Sequence, residues 1–515
     1  MFSLLKDKTV LRRDILASLV VFLVALPLCV GVAVASGVPA ELGLVTGIVG
    51  GIVVGSLPGS SLQVSGPAAG LTVLVYSAVQ EFGLGALGAI VLISGLIQLA
   101  LGAVGLGRWF RAISVSVVQG MLAGIGLVLV LGQVYAMADL AQPSSGLDKL
   151  AGLPGLAADI VTSGAALTAF LIGAGTVAVL VLWPKLPAKF RVVPGPLAAV
   201  ALATGVTVAF GLPVAKVEVK GLLESISPPG LGDFGALGGM AAIGTILAFT
   251  LIASAESLFS AAAVDRMHDG PRTDYNKELM AQGVGNTVCG ALGALPMTAV
   301  IVRSSANVQA GAKTSLSRIL HGVWLLLFAA LLPAAIGIIP LAALAGVLVH
   351  AGCKLIPVKD LAPLWREHRG EAVILAITAT AILVTNLFEG VILGLLLAVV
   401  KTAWEISHLN VDVRELTGGR LVVSVSGNVT FLRLPRIMEQ LEELPKDRPI
   451  ELDLSEVRHL DHACRISLEN WALRHNDAET EPVRMRGPAP TAPATAGAAR
   501  LEESVPGTRP KAGAS

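Results

Sequence analysis

Two ionisable residues stand alone in long uncharged surroundings. Glu256 follows an uncharged run from Phe234 to Ala255 and precedes Asp265 by nine residues, and Arg303 follows an uncharged run from Leu279 to Val302 and precedes Lys313 by ten. At 1.5 Å per helical residue, these offsets put Glu256 roughly 13 Å and Arg303 roughly 15 Å below a charged helix end. An isolated charge near the middle of a bilayer costs about 2.5 to 3.5 kcal/mol on the gentlest scale, so both should face the protein interior. Pairing with each other is the least costly arrangement, and one reading of the two residues is a structural salt bridge. The functional reading is coupling: protonation of Glu256 removes a negative charge and favours an anion nearby, and loss of the proton reverses this. Ser260 lies one turn beyond Glu256 on the same helix face, where it either coordinates an ion or bonds back to a carbonyl of its own helix.

Two short, broken stretches accompany these charges. Ser65-Gly66-Pro67-Ala68-Ala69-Gly70 opens the third apolar segment of the chain, and Gly293-Ala294-Leu295-Pro296-Met297-Thr298 opens the tenth. Glycine and proline are frequent in membrane helices generally. Their matched positions in two halves, however, are the best sequence pointer to a transporter site built from an internal repeat. With seven segments in each half, an odd number, the halves are inverted in topology. Two helix N-termini then meet at mid-depth, where free N–H groups and positive dipole ends favour an anion.

The elements that carry these residues are membrane helices. The chain has 515 residues, of which 14% are charged and 54% hydrophobic, and its mean hydropathy is +0.77. A soluble globular enzyme, with about 25% charged residues, is excluded, and a lipid bilayer is the simplest solvent for most of the sequence. The net charge of +1 argues against a nucleic-acid partner. Cys29, Cys289, Cys353 and Cys464 lie far apart without metal-ligand spacing, so four free thiols and no metal or cofactor are expected. The run from Ile15 to Ala35 is too long for a secretory signal, and is read as a retained span with a cytoplasmic N-terminus behind Lys6, Lys8, Arg12 and Arg13.

Fourteen transmembrane segments are expected near 14–37, 40–57, 67–81, 84–106, 112–136, 163–183, 193–212, 236–266, 278–294, 298–309, 315–338, 341–356, 371–388 and 390–409. This count puts Arg108, Arg111, Lys185, Lys189, Arg191, Arg266, Arg272, Lys277, Lys313, Arg318, Lys354, Lys359, Arg366 and Arg369 on the cytoplasmic side. The connection from 137 to 162 falls outside and carries Asp139, Asp148 and Asp159 against Lys149 alone. The fold class is therefore an α-helical polytopic membrane protein, a 7+7 inverted repeat over residues 1–410. A change of pattern follows: Leu421 to Ser426 alternates, charges become frequent, and Ile450 to Leu454 reads as a second strand. Residues 411–486 form a small cytoplasmic α/β domain. The Ala/Pro/Thr-rich stretch 487–515 is read as a disordered tail.

The residues themselves are familiar. The run from Glu256 to Asp265, then Glu278-Leu279-Met280-Ala281-Gln282-Gly283-Val284-Gly285-Asn286, then Leu295-Pro296 through Arg303 to Thr314, resembles the SulP anion transporter family. The resemblance covers residues 1 to about 486. It implies a transport domain followed by a STAS domain, a core of helices 1 to 4 and 8 to 11 moving against a gate domain as an elevator, and a homodimer in a bacterial-type inner membrane. It places the anion between Pro67, Ala68, Ala69 and Gly70 on one side and Met297, Thr298 and Ala299 on the other, beside Glu256, with Arg303 as the nearby cation. Sodium-coupled bicarbonate members carry Asp where Glu256 stands and Thr where Ile301 stands, so protons are favoured over sodium. The run Phe22 to Leu28 is similar to bacterial members thought to carry bicarbonate, but lacks the Gln that many sulfate and chloride members place after the proline. In the STAS-like segment Asp461-His462 replaces the Asp-Ser of regulatory relatives, and a helix cap is the favoured reading of that pair over catalysis or metal binding.

The leading expectation is proton-coupled import of bicarbonate or sulfate by alternating access. A dicarboxylate or other organic anion carrier, a nucleobase carrier, an anion channel and a membrane scaffold working through residues 411–486 are the alternatives. No Ser/His/Asp, metal or phosphate-loop signature points to an enzyme.

Overall fold

The computed structural model describes residues 8–108, 114–143, 145–187, 193–218, 221–416, 419–475 and 481–487. Arg111, Lys189 and Arg191, and the tail from 488 onward, lie outside the described residues. The chain forms two compact units, Met1–Ala398 and Val399–Ser515.

The first unit is helical. In chain order it contains α1 Lys8–Ala35, α2 Ala40–Val49, the strand β1 Ser65–Pro67, α3 Thr72–Ala103, α4 Val115–Met137, α5 Gly146–Ala151, α6 Leu153–Thr162, α7 Gly164–Leu182, α8 Gly195–Ala209 and α9 Leu231–Gly235. It continues with α10 Met240–Asp265, α11 Tyr275–Ala291, β2 Met297–Ala299, α12 Ile301–Gln309, α13 Leu316–Leu331, α14 Pro333–Gly337, α15 Leu341–Leu355, α16 Val358–Glu367, α17 Arg369–Val384 and α18 Leu387–Ile406, within which the division falls. Helix lies in each of the fourteen segments expected from sequence. By length and composition, seven stretches among the described residues are long and apolar enough to cross a membrane, counting Ala69–Ala103 as one. That stretch is broken at Gly83, whose φ of 83° and ψ of 167° end the third expected segment and start the fourth. The connection from 137 to 162 holds two helices, α5 and α6, which the sequence pattern did not reveal.

Two packing features position β1 and β2. The long helix after β1 crosses the helix before β2 along a seam of glycines: a Cβ on Gly95 would lie 2.4 Å from Thr287 N, one on Gly283 2.5 Å from Leu99 N, and one on Gly290 2.2 Å from Leu92 N. Without those side chains the backbones of α3 and α11 approach closely, as small residues allow in membrane bundles. The N-terminus of α11 is itself capped by Asp274, which accepts from Asn276 N and Lys277 N. Asp14 of α1 is fully buried and accepts from Lys313 N at 2.7 Å and from Thr314, tying α1 to the turn before α13.

The second unit holds a four-stranded sheet in the order β3 Leu409–Glu415, β4 Leu421–Val429, β5 Ile450–Leu460 and β6 Arg484–Arg486. The first pair is antiparallel, with Val411 opposite Val425, and the other two are parallel, with Val423 opposite Leu452 and Leu452 opposite Met485. The expected alternation holds in β4, where Leu421, Val423 and Val425 are buried. They form one core with Ile437 and Leu441 of α19 Leu434–Glu442 and Leu468 of α20 His462–Arg474. Asp461 is the N-cap of α20, accepting from Cys464 N at 2.7 Å.

Candidate functional site

The two Gly/Pro-broken stretches meet as a short antiparallel ladder: Ser65 pairs with Ala299, Gly66 with Thr298, and Pro67 with Met297. Val300 N donates to Val64 O at 2.9 Å and extends it. The strands replace the outermost helical residues that sequence suggested for the third and tenth segments. Each proline and the residue before it favour extended backbone, and the ladder satisfies backbone polar groups that would otherwise be bare in the interior.

Each strand leads straight into a helix. After β1 the chain makes one 3₁₀ turn, Ala69–Leu71, and becomes α3; after β2 and the extended Val300 it becomes α12. No side chain caps the first turn in either unit. Two sets of helix N–H groups are therefore left for another acceptor, beside a strand pair that is wholly buried.

The charged residues surround this crossing. Arg303, two residues into α12, is 0% exposed and donates from Nη2 to the Pro67 carbonyl at 3.1 Å. Among the described residues, its Nε and Nη1 have no nitrogen or oxygen hydrogen-bond partner. The guanidinium fits because Gly66 has no side chain, since a Cβ there would lie 2.1 Å from Nη1. Cys29 of α1 lies beside it. Glu256, in the middle of α10, lays its carboxylate against Gly70, where a Cβ would stand 2.7 Å from Oε1 and 2.9 Å from Oε2. The Thr298 side chain reaches the same carboxylate, while Oε2 is buried without a hydrogen-bond partner among the described residues.

The expected ion pair between Glu256 and Arg303 does not form. Arg303 is turned onto the backbone of β1 instead, and each charge keeps unused hydrogen-bonding capacity. The physical reason lies in the ladder: it brings the Pro67 carbonyl within reach of the first turn of α12, and the guanidinium takes that acceptor.

The candidate residues thus divide by role. Pro67 supplies a carbonyl to Arg303, Ala68 is a buried extended link, and Ala69 and Gly70 open the turn before α3. Thr298 faces Glu256, and Ala299 N donates to Ser257 Oγ at 3.2 Å. The Met297 side chain points away to α11, where a Cβ on Gly285 would lie 2.7 Å from its Sδ. Ser260 is buried on α10, but the hydroxyl that reaches β2 is that of Ser257.

Sequence reasoning missed the supporting groups. The Asn286 side chain holds both backbone groups of Met297, accepting from N at 2.7 Å and donating to O at 3.1 Å, and also donates to Gln98 Oε1. Gln282 donates to Ser65 Oγ at 2.7 Å, Gln63 to Ser257 O at 2.8 Å, and Ser304 accepts from Val64 N at 2.9 Å. A buried Asn or Gln in an otherwise apolar helix was the available signal, because such a group needs a partner.

The profile described as the sulfate permease family matches residues 11–378. A putative sulfate transporter of Bacillus subtilis, YvdB, is 28% identical over 394 residues, covering 76% of this chain and 73% of that protein. The bicarbonate transporter BicA of Picosynechococcus is 26% identical over 517 residues, covering 92% of this chain and 88% of that one. Among solved structures, the murine anion transporter Slc26a9 in its inward-facing state matches with a TM-score of 0.76 at 16% identity, over 93% of this chain and 86% of that one.

Proposed function

The chain belongs to the sulfate permease family of membrane anion transporters, and from that premise we propose that it imports bicarbonate or sulfate through the strand crossing, with proton coupling through Glu256 when the anion is sulfate. The observation that carries this reading is the meeting of two uncapped helix N-termini with a buried guanidinium and a buried carboxylate that do not neutralise each other. The anion would lie between Pro67 to Gly70 and Met297 to Ala299. It would accept from the helix N–H groups and from the unused donors of Arg303.

Charge counting gives the proton its role. Each helix N-terminus is equivalent to about +0.5 elementary charge, so with Arg303 charged and Glu256 ionised the site carries about +1. That suits one bicarbonate. With Glu256 protonated it carries about +2, which suits sulfate together with one proton. A buried carboxylate whose Oε2 lacks a partner is the group best placed to change protonation as the anion comes and goes.

The arrangement that supports this reading is two oppositely directed strand–helix units around one crossing, as in transporters built from inverted repeats. On this view the chain has fourteen segments in two halves of seven, with the helices that hold the crossing (α1 to α3 and α10 to α13) acting as a core that moves against the rest as an elevator. Both termini would be cytoplasmic, the protein would work as a homodimer in a bacterial inner membrane, and residues 411–486 would be a STAS-like regulatory domain. Uptake of labelled bicarbonate and of labelled sulfate into liposomes, each with and without an inward proton gradient and again with sodium, tests the reading. Saturable uptake of one anion is expected, with sulfate requiring the proton gradient; sodium-driven uptake indifferent to pH would overturn the role of Glu256.

A further inference from the structure

The connection between α4 and α7 carries a cation that nothing in the crossing uses. Lys149 of α5 is only 3% exposed. Its ammonium lies over the Tyr76 ring, 5.6 Å from the centroid, and makes no ion pair or hydrogen bond among the described residues. Two of the three acids of the same connection are engaged elsewhere: Asp148 takes the Ser145 hydroxyl at 2.6 Å, and Asp139 accepts from Ala215 N at 2.8 Å. Tyr135 of α4 donates to the Lys149 carbonyl, not to its ammonium. Burial pulls this lysine down to about 8 from its ordinary value.

Beside it is a cavity of about 220 Å³, lined among others by Val34, Gln133, Asp139, Gln142, Ala215 and Leu344. A water takes about 30 Å³, so there is room for a small hydrated ion. Gln142 joins the two features: its Oε1 and the Lys149 Nζ lie 2.1 and 3.4 Å from the position of a Cβ on Gly132. The cavity also touches Ala35, the last residue of α1, so it lies one membrane crossing away from the N-terminus. Tyr76 is seven residues along from Ala69, which puts its backbone roughly 10 Å along the helix from the turn after β1.

We propose that Lys149 and this cavity form a second, outer site for the transported inorganic anion, from which it passes along α3 to the strand crossing. This rests on the transport reading above. The aromatic ring holds the lysine without a paired carboxylate, the cavity's Asp139 being engaged by Ala215 N, and its uncompensated charge recruits the anion from the cavity. The titratable groups around it are Tyr76 from α3, Tyr135 from α4 and Asp148 from its own helix, while Asp139 lines the cavity.

Uptake of labelled sulfate into cells producing the full chain tests it, with KM taken from the external concentration. Lys149→Gln should raise external KM about fivefold to tenfold, with the loss falling on KM and not on the maximal rate, and Lys149→Arg should restore it. Raising external pH from 7 to 9 should increase KM for the native protein, as the lysine loses its proton, by more than for Lys149→Arg, whose guanidinium stays charged. An unchanged KM in Lys149→Gln, or the same pH dependence in the native protein and Lys149→Arg, overturns the outer site and leaves the transport reading intact. The second comparison decides the matter even where Lys149→Gln fails to reach the membrane. Absence of sulfate and bicarbonate uptake by the native protein overturns both.

Discussion

The two strand–helix units that meet at the crossing are built alike and furnished differently. The first, Ser65 to Leu71, contributes backbone and empty space: Gly66 makes room for a guanidinium and Gly70 for a carboxylate. The second, Met297 to Arg303, contributes the side chains, with Thr298 against Glu256 and Arg303 against Pro67. One unit lines the site and the other charges it. Charge repeated in both halves would place like groups face to face, whereas a glycine opposite each charged group leaves that group room.

Substitutions that exchange these roles should have the largest effects. Glu256→Gln removes the titrating group without changing its shape, so proton-driven sulfate uptake in liposomes should vanish while the purified protein elutes normally; normal proton-driven uptake would end its coupling role. Gly66→Ala places a methyl group 2.1 Å from a guanidinium that is buried on all sides. It should cut transport by roughly a hundredfold, by analogy with other small misplacements in functional sites, whereas Thr298→Ser, directly opposite on the other strand, should stay within about threefold. Equal tolerance at the two positions would break the division of roles. Arg303→Lys keeps the charge but loses the fork that serves Pro67 and the anion together, and about a tenfold rise in KM is expected from uptake kinetics.

A smaller effect separates support from chemistry. Asn286→Ala removes both side-chain bonds to Met297, which should cost roughly 2 to 3 kcal/mol, read as a lower melting temperature in detergent with KM little changed. The smallest lies far from the crossing. Asp461→Ala should cost about 1 kcal/mol through loss of the α20 cap, seen as faster hydrogen exchange in that helix. Burial acts to raise the Asp461 carboxyl, but the N–H groups of Cys464 and Phe431 outweigh it and hold the group below its ordinary value. Its stabilisation is therefore fully present above the ordinary carboxylate range and is lost as pH falls through the lower folded value. Protection in α20 should decline on acidification in the native protein and not further in the variant.

Much of this was legible in the chain. Uncharged runs of membrane length mark where the helices lie, the broken stretches at 65–70 and 293–298 mark the crossing, and the isolation of Glu256 and Arg303 marks them as interior. The cap at Asp461 was legible too, because capping depends on neighbours three residues apart. Less visible were Ser257, Gln282 and Asn286, whose partners are far away in sequence: Gln282 reaches Ser65 across 217 residues.

Hydropathy, helix breakers and the isolation of charges act locally or along one axis, so they were enough to specify the membrane solvent, the helical elements and the interior placement of the two charges. Which acceptor Arg303 takes, which strand residues face each other, and how Lys149 comes to rest on Tyr76 were decided only in three dimensions. Those outcomes depend on how closely two backbones approach, and that distance is set by the glycine seam between α3 and α11, where both helices must be present at once.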